Sequence, residues 1–154
     1  MMNDNLNRKE NFNEEVLDLR RVTRVVAGGK RFRFRATVVI GDGNGRVGIG
    51  VAKGSDVEQA VGKGRVQAKK NLIKIKMKDR TISREVEAKF SAAKVLIKPS
   101  AAGKGLTAGG AVRVVLKLAG VQDATAKCLG TTTNKLTNAL AAVKALSQLK
   151  AQDN

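Results

Sequence analysis

The sequence predicts an α+β fold in two modules, and three features of its first half indicate this. Residues 31–40 alternate between apolar and basic or polar side chains, as a half-buried strand does. Residues 41–45 contain both Asp-Gly and Asn-Gly, the dipeptides that most often close a β-hairpin. Small or apolar residues then recur at helical spacing between Val57 and Ile75. The pattern is three antiparallel strands and a helix, followed by a second α+β unit.

The first module is predicted to span residues 15–80. A turn at residues 27–30 separates its first two strands. Ser55 with Glu58 three residues later forms a capping-box pattern, so we expect the helix to begin there and the module to end near Arg80. The three strands are expected at residues 19–26, 31–40 and 46–52.

The second module is predicted to span residues 81–150. Its last helix is expected to follow one of the capping residues at 131–134. The polar residues 1–14 and 151–154 are predicted to be tails. The second module should contain, in order, two extended segments, a helix and a strand, at 81–97, 111–118 and 123–129. The buried stripe of the last helix should consist of Leu136, Ala139, Leu140, Val143 and Leu146.

Charge indicates the class of partner. The chain has 30 Lys and Arg against 13 Asp and Glu, a net charge of +17 and a pI near 10.6. Such a domain repels itself, so a polyanion is the expected partner. A membrane surface would require a basic amphipathic helix or an apolar run of about 20 residues, and the sequence has neither. Nucleic acid is therefore favoured, and no membrane partner is expected.

The residues needed for most catalysis are missing. The chain has no histidine and one cysteine, Cys128, so it can build neither a Ser-His-Asp nor a Cys-His system, and no ordinary zinc site. We therefore expect no enzyme activity, no cofactor, no metal and no small-molecule substrate. A single cysteine also excludes an internal disulfide, which fits a cytoplasmic protein.

The spacing of Gly43, Gly45 and Gly48 matches the dinucleotide-binding fingerprint G-x-G-x-x-G. That fingerprint requires a helix directly after it, whereas residues 46–51 are typical of a strand. We therefore interpret the match as accidental and expect these glycines at turn positions with positive φ.

A second glycine segment, Gly103-Lys104-Gly105, lacks the spacing of a Walker loop. It is interpreted as a loop that leads into a helix. Contact of that helix N-terminus with phosphate or a partner protein is the alternative.

The basic residues are ordered along the strands. Arg31, Arg33 and Arg35 should lie on one face at intervals of about 7 Å, and residues 19–41 contain no acidic residue. A solvated face would mix signs, so this row favours phosphate. The alternating Phe32 and Phe34 are expected in the core, which leaves no base-stacking platform and favours structured RNA recognised by shape. The residues expected to contact RNA are Arg20, Arg21, Arg24, Gly28, Gly29, Lys30, Arg31, Arg33, Arg35, Asn44, Arg46, Lys53, Lys63, Lys69 and Lys70.

Two long runs resemble one known family. Residues 41–50, Gly-Asp-Gly-Asn-Gly-Arg-Val-Gly-Ile-Gly, preceded by Ala-Gly-Gly-Lys-Arg-Phe at 27–32, resemble the small-subunit ribosomal protein S-five family. Residues 103–113 and 118–121 are similar to the second domain of that family. Residues 81–93 match its pattern poorly.

The resemblance implies a module like a double-stranded-RNA-binding domain, followed by a βαβα-type domain. It further implies a structural protein of the 30S subunit in the cytoplasm, which binds 16S rRNA between head and body and supports translational accuracy. The implied partners are ribosomal proteins S-four and S-eight and the path of messenger RNA into the subunit. The loop at 27–30 would face RNA near the neck. The residues implied to face S-four are Gly103, Lys104, Gly105 and Arg113.

Two other functions remain as alternatives. One is a free double-stranded-RNA or nucleoid-type binding module that works off the ribosome. The other is a nucleotide-dependent enzyme that uses the glycine segments.

Overall fold

The computed structural model describes residues 11–149 and has the α+β fold that the sequence predicts. Its helices are α1 (Val57–Lys70), α2 (Gly110–Ala119) and α3 (Lys135–Ser147). Its strands are β1 (Asn13–Val26), β2 (Gly29–Gly41), β3 (Arg46–Gly54), β4 (Ile73–Lys74), β5 (Met77–Lys78), β6 (Thr81–Ile82), β7 (Val86–Phe90), β8 (Ala93–Pro99), β9 (Leu106–Thr107) and β10 (Ala124–Cys128).

The first module is an antiparallel sheet in the order β1-β2-β3-β4, with α1 packed on one face. The helical spacing, which continues to Ile75, predicted a helix that is too long. Helix α1 ends at Lys70, and Asn71 leaves the helical region at φ −102°. The chain then returns to the sheet, where Ile73 pairs with Val47. Residues 73 and 74 therefore pair with the edge of β3 and do not continue the helix.

The cap of α1 also differs from the prediction. Asp56, not Ser55, is the N-cap, and its carboxylate accepts the backbone N–H of Glu58 at 2.7 Å. The backbone N–H of Ser55 donates to Oε1 of Gln59 at 2.8 Å. A carboxylate is an equally good cap and interacts favourably with the positive end of the helix dipole.

Strand β1 begins at Asn13, so the last two residues of the expected tail lie in the sheet. The ladder has a bulge between Val16 and Asp18, and the side chain of Leu17 packs against the larger hydrophobic core. Phe12 packs against the smaller core under α1. These apolar contacts explain why β1 begins earlier in the chain than composition suggested. Residues 1–10 and 150–154 of the expected tails and second module lie outside the described residues.

Glycines allow α1 to lie close to β3. A Cβ on Gly48 would lie 2.4 Å from the carbonyl oxygen of Ala68, and one on Gly50 would lie 2.1 Å from that of Gly64. Gly48 is therefore a close-packing residue, and its assignment to a turn was wrong. Gly43 and Gly45 do have positive φ, at 74° and 97°.

The middle of β2 is buried on both faces. Val38 and Ile40 pack under α1, whereas Val39, on the other face, joins a larger core built with the second module. Thr37, expected on an outer polar face, is 1% exposed. The sequence shows a clean alternation here, but it could not show that a second layer covers the alternate face.

The second module has a sheet in the order β7-β8-β10-β9, and α2 and α3 contribute buried residues to its core. Asn134 caps α3, with its side chain accepting the N–H of Leu136 at 3.1 Å. Ala139 and Leu146 of the expected stripe are buried. Its other three members are partly buried against the same core: Leu136, Leu140 and Val143.

The two modules meet where the glycine hairpin of residues 41–45 packs on the end of α2. The N–H of Gly43 donates to the carbonyl of Leu118 at 3.0 Å, and that of Gly45 donates to Ala119 at 2.8 Å. Gly120 caps α2 in the left-handed region at φ 93°. The hairpin therefore satisfies carbonyls that the helix end would leave free, and it fixes the first sheet against the second module.

Candidate nucleic-acid interface

The first two strands extend beyond the rest of their sheet. Strand β3 ends at Gly54, which pairs with Phe34, whereas β1 and β2 remain paired as far as Val26 and Gly29. Residues 20–35 thus form a hairpin arm, two-stranded over most of its length. Twelve of these sixteen residues are exposed, and the other four are partly buried.

One face of the arm is almost entirely basic. In the ladder, Arg24 is directly opposite Arg31, and Arg35 has Arg20 on one side and Lys53 of β3 on the other. Directly opposed residues point to the same side of a sheet, so these side chains share one surface. We call it the arginine face, and it consists of Arg20, Arg24, Arg31, Arg33, Arg35 and Lys53.

The arginine face has few internal counter-charges. Arg20 binds the carboxylate of Asp18 at 2.9 Å, at the base of the arm. Within residues 11–149, no carboxylate forms an ion pair with Arg24, Arg31 or Arg33. Like charges directly across a ladder destabilise it.

A concavity of about 280 Å³ lies over this face, lined by Val22, Thr23, Arg24, Arg31, Arg33 and Lys53.

Phe32 lies on the opposite face of the arm, and the prediction that it belongs to the core is wrong. Phe32 is 46% exposed, and the guanidinium carbon of Arg21 lies 3.7 Å from its ring centroid. Phe34 is partly buried against the small core, as expected. The alternation identified the face correctly, but Phe32 lies beyond the last residue of β2 that pairs with β3.

The tip of the arm carries the other expected contacts. Gly28, Gly29 and Lys30 are all exposed. A Cβ on Gly28 would meet nothing within 4 Å, so backbone at the tip is open to a large partner. Gly29 has φ 147°, a conformation that side chains rarely adopt.

Asn44 and Arg46 do not join the arginine face. They lie at the far end of β2, roughly 40 Å from the tip at the rise of an extended strand. Nε of Arg46 donates to Oδ2 of Asp42 at 2.7 Å, and its guanidinium lies 5.1 Å from the ring centroid of Phe12. Burial raises the pKa of Asp42, but hydrogen bonds from the Arg46 side chain and from two backbone N–H groups outweigh it, so the net pKa is lowered. Arg46 therefore has a structural role within the hairpin.

The predicted helix lysines are exposed but lie on a different surface. Helix α1 covers the face of the sheet opposite the arginine face, and Lys63, Lys69 and Lys70 lie on its outer side. Lys69 is 5.8 Å from the ring centroid of Phe12. Lys69 and Lys70 also lie in the last turn of α1, where cations stabilise the helix dipole.

In the second module, a buried carboxylate holds the predicted partner loop. The N–H of Gly105 donates to Oδ1 of Asp123 at 2.9 Å, and Nε of Arg80 lies 3.3 Å from Oδ2. Asp123 is 1% exposed. Sequence reasoning missed it, because a single carboxylate near a strand gives no signal of its partners. Lys104 and Arg113 are exposed, and Arg113 lines a groove of about 460 Å³ with Lys117.

Residues 11–149 contain neither a candidate metal-binding cluster nor a helix suited to span a membrane. No cluster of three or more His, Cys, Asp or Glu side chains there could hold a metal ion. No helix in the same range has the length and apolar character to cross a membrane.

Comparison with known families gave two matches in order along the chain. Residues 12–76 match the family described as "Ribosomal protein S5, N-terminal domain". Residues 88–154 match "Ribosomal protein S5, C-terminal domain". Residues 77–87, which include β5 and β6, lie outside both matches. They overlap residues 81–93, where the sequence departs from the family pattern, but residues 88–93 lie within the second match.

Proposed function

Because the chain belongs to the ribosomal protein S5 family, we propose that its arginine face binds 16S rRNA between the head and body of the small subunit. The family has a structural role in the small subunit, with rRNA and ribosomal proteins as partners. Ribosomal proteins are in general not enzymes, and we infer that this chain catalyses no reaction.

The observation that carries the proposal is that Arg24 lies directly opposite Arg31 on the arginine face. The arm that bears this face, residues 20–35, contains no acidic residue. Phosphates would relieve this repulsion. Arginine suits phosphate because its planar guanidinium can donate two parallel hydrogen bonds. Successive residues on one face of a strand are about 7 Å apart, near the spacing of phosphates along a nucleic-acid strand. The contact would read backbone shape and carry little sequence information.

The second module supports a proposed contact with ribosomal protein S-four. Gly103, Lys104 and Arg113 are each exposed there, and the hydrogen bond from the N–H of Gly105 to Asp123 ties the loop to the module. An ordered loop loses less entropy on binding. Contact with S-eight, a position along the path of messenger RNA, support of translational accuracy and a cytoplasmic location are proposed from family membership alone.

The alternative is a free double-stranded-RNA or nucleoid-type binding module. It would use the same arginine face, so RNA affinity by itself does not separate the two functions. The second module favours the ribosomal function, since a free RNA-binding module has no use for the loop at residues 103–105.

Sedimentation of a cell lysate that contains a tagged form of the chain distinguishes these functions. We expect the chain in the 30S peak, and we expect the variant with Arg31, Arg33 and Arg35 all changed to Gln to move toward the light fractions. A control with Lys89, Lys127 and Lys135 changed to Gln loses the same charge from exposed positions of the second module. It should stay with the 30S peak. A wild-type chain absent from that peak would refute the ribosomal function.

A further inference from the structure

We propose that Phe32 and Arg21 form a stacking site for an unpaired RNA base, on the face of the arm opposite the arginine face. The inference rests on the proposed function, because it adds a second kind of contact to the same arm. It concerns an unpaired base, whereas the arginine face is suited to phosphates.

The first step is the exposure of the ring. Arg21 already covers one part of Phe32, with its guanidinium carbon 3.7 Å from the ring centroid, yet the residue remains 46% exposed. Phe34, two residues further along the same face, is partly buried under α1. Of the two phenylalanines on this face of β2, Phe34 is covered by the fold, whereas Phe32 stays accessible to a partner.

The second step is the chemistry of its surroundings. Thr23 lies opposite Phe32 in the ladder, and Lys30 lies two residues toward the tip on the same face. Arg21 and Lys30 thus flank the ring with cations, and residues 19–41 contain no acid that would repel RNA. A nucleotide offers the matching groups: a flat base for the ring or the guanidinium, and a phosphate for the cations.

The third step is the geometry of stacking. Unpaired bases stack on aromatic rings and on guanidinium planes in proteins that bind single-stranded RNA. The contact between Arg21 and Phe32 orders both groups before RNA binds, which lowers the entropy lost on binding. A fully paired duplex presents no free base face along its length, so this site should prefer loops and bulges.

The chain contains no Trp and no Tyr, so Phe32→Trp introduces a single fluorophore at the site. We would titrate this variant with two RNAs of equal length: a perfect duplex and a stem-loop whose loop consists of adenosines. Stacking predicts strong quenching by the stem-loop and little by the duplex. Phe90→Trp, at an exposed phenylalanine of the second module, is the matched control and should respond to neither RNA.

Affinity measurements complete the test. Phe32→Leu should weaken stem-loop binding about tenfold, leave duplex binding unchanged and leave the salt dependence of both unchanged, since no phosphate contact is lost. Phe32→Trp should bind at least as well as the wild type. Quenching that is equal for both RNAs, or absent while both bind, would overturn the stacking site and leave the arginine face standing. Failure of the wild type to bind either RNA would overturn both proposals.

Discussion

Arg24 lies directly opposite Arg31 near the tip of the hairpin arm. The arm itself contains no acidic residue, and the nearest one before it in the sequence is Asp18, at its base. A pair of like charges in this position lowers the stability of the free protein. The same pair would favour binding of a polyanion. Reversing the charge of one member should therefore raise the stability of the free protein and lower its affinity for RNA.

The variant Arg31→Glu tests this opposition. A carboxylate opposite Arg24 should raise the free energy of unfolding by about 0.2–1 kcal/mol. It should weaken binding to 16S rRNA more than tenfold, because one phosphate contact is lost and a repulsion is added. Urea unfolding and filter binding measure the two effects. Lys127→Glu, at an exposed position on β10, is the control for net charge and should change RNA affinity little.

The ion pair between Asp42 and Arg46 predicts a pH dependence of stability. The pKa of Asp42 in the folded protein is below its ordinary value of 3.8. Its contribution is therefore fully present above about pH 4 and is lost as the pH falls through the lowered pKa. Asp42→Asn should be less stable than the wild type at pH 6, and the difference should shrink by pH 3. Urea unfolding of both proteins at the two pH values measures this difference. A difference that stays constant with pH would contradict the assigned role.

The contact between the modules depends on Gly120. A Cβ at this position would lie 2.0 Å from the carbonyl oxygen of Gly43, and its φ of 93° disfavours any side chain. We expect Gly120→Ala to destabilise the protein by about 1–2 kcal/mol from backbone strain, and further from displacement of the hairpin. Gly62→Ala is the control, because a Cβ there meets nothing and the helix interior favours alanine. Thermal unfolding should show opposite changes in melting temperature, and equal changes would refute the docking role.

Asp123 is predicted to order the loop at residues 103–105. Asp123→Asn removes the charge that Arg80 and the N–H of Gly105 share, which should cost about 1–3 kcal/mol. Hydrogen exchange at the Gly105 amide should accelerate more than exchange in α3. Asp79→Asn, at an exposed position with positive φ that asparagine tolerates, should leave exchange at Gly105 unchanged. Uniform acceleration through the second module would show that Asp123 stabilises the module as a whole.

The sequence predicted the fold correctly where the structure of an element depends only on residues close to one another in the sequence. The glycine hairpin, the strand alternation at residues 31–40 and the Asn134 cap all depend on a few neighbouring residues. Helix α1 was predicted too long, because its end depends on the edge of β3 that Ile73 completes. Burial of Thr37 and exposure of Phe32 depend on which parts of the sheet the second module and α1 cover.

The candidate site was predictable to a similar extent. The arginine row follows from strand periodicity alone, but the direct pairing of Arg24 with Arg31 requires the register of the ladder. Asn44 and Arg46 were included among the expected RNA contacts, whereas the length of β2 separates them from the tip of the arm. Asp123 and Phe12 act through partners remote in sequence, and no local pattern identifies such contacts.

The salt dependence of binding to 16S rRNA tests the central claim most directly. Each phosphate contact contributes about 0.7–0.9 to the slope of log affinity against log salt concentration. If the arginine face contacts phosphates, changing Arg31, Arg33 and Arg35 together to Gln should flatten the slope by about two to three units. The control with Lys89, Lys127 and Lys135 changed to Gln should keep the wild-type slope. An unchanged slope in the arginine variant would show that this face is only solvated, and that the chain binds RNA elsewhere.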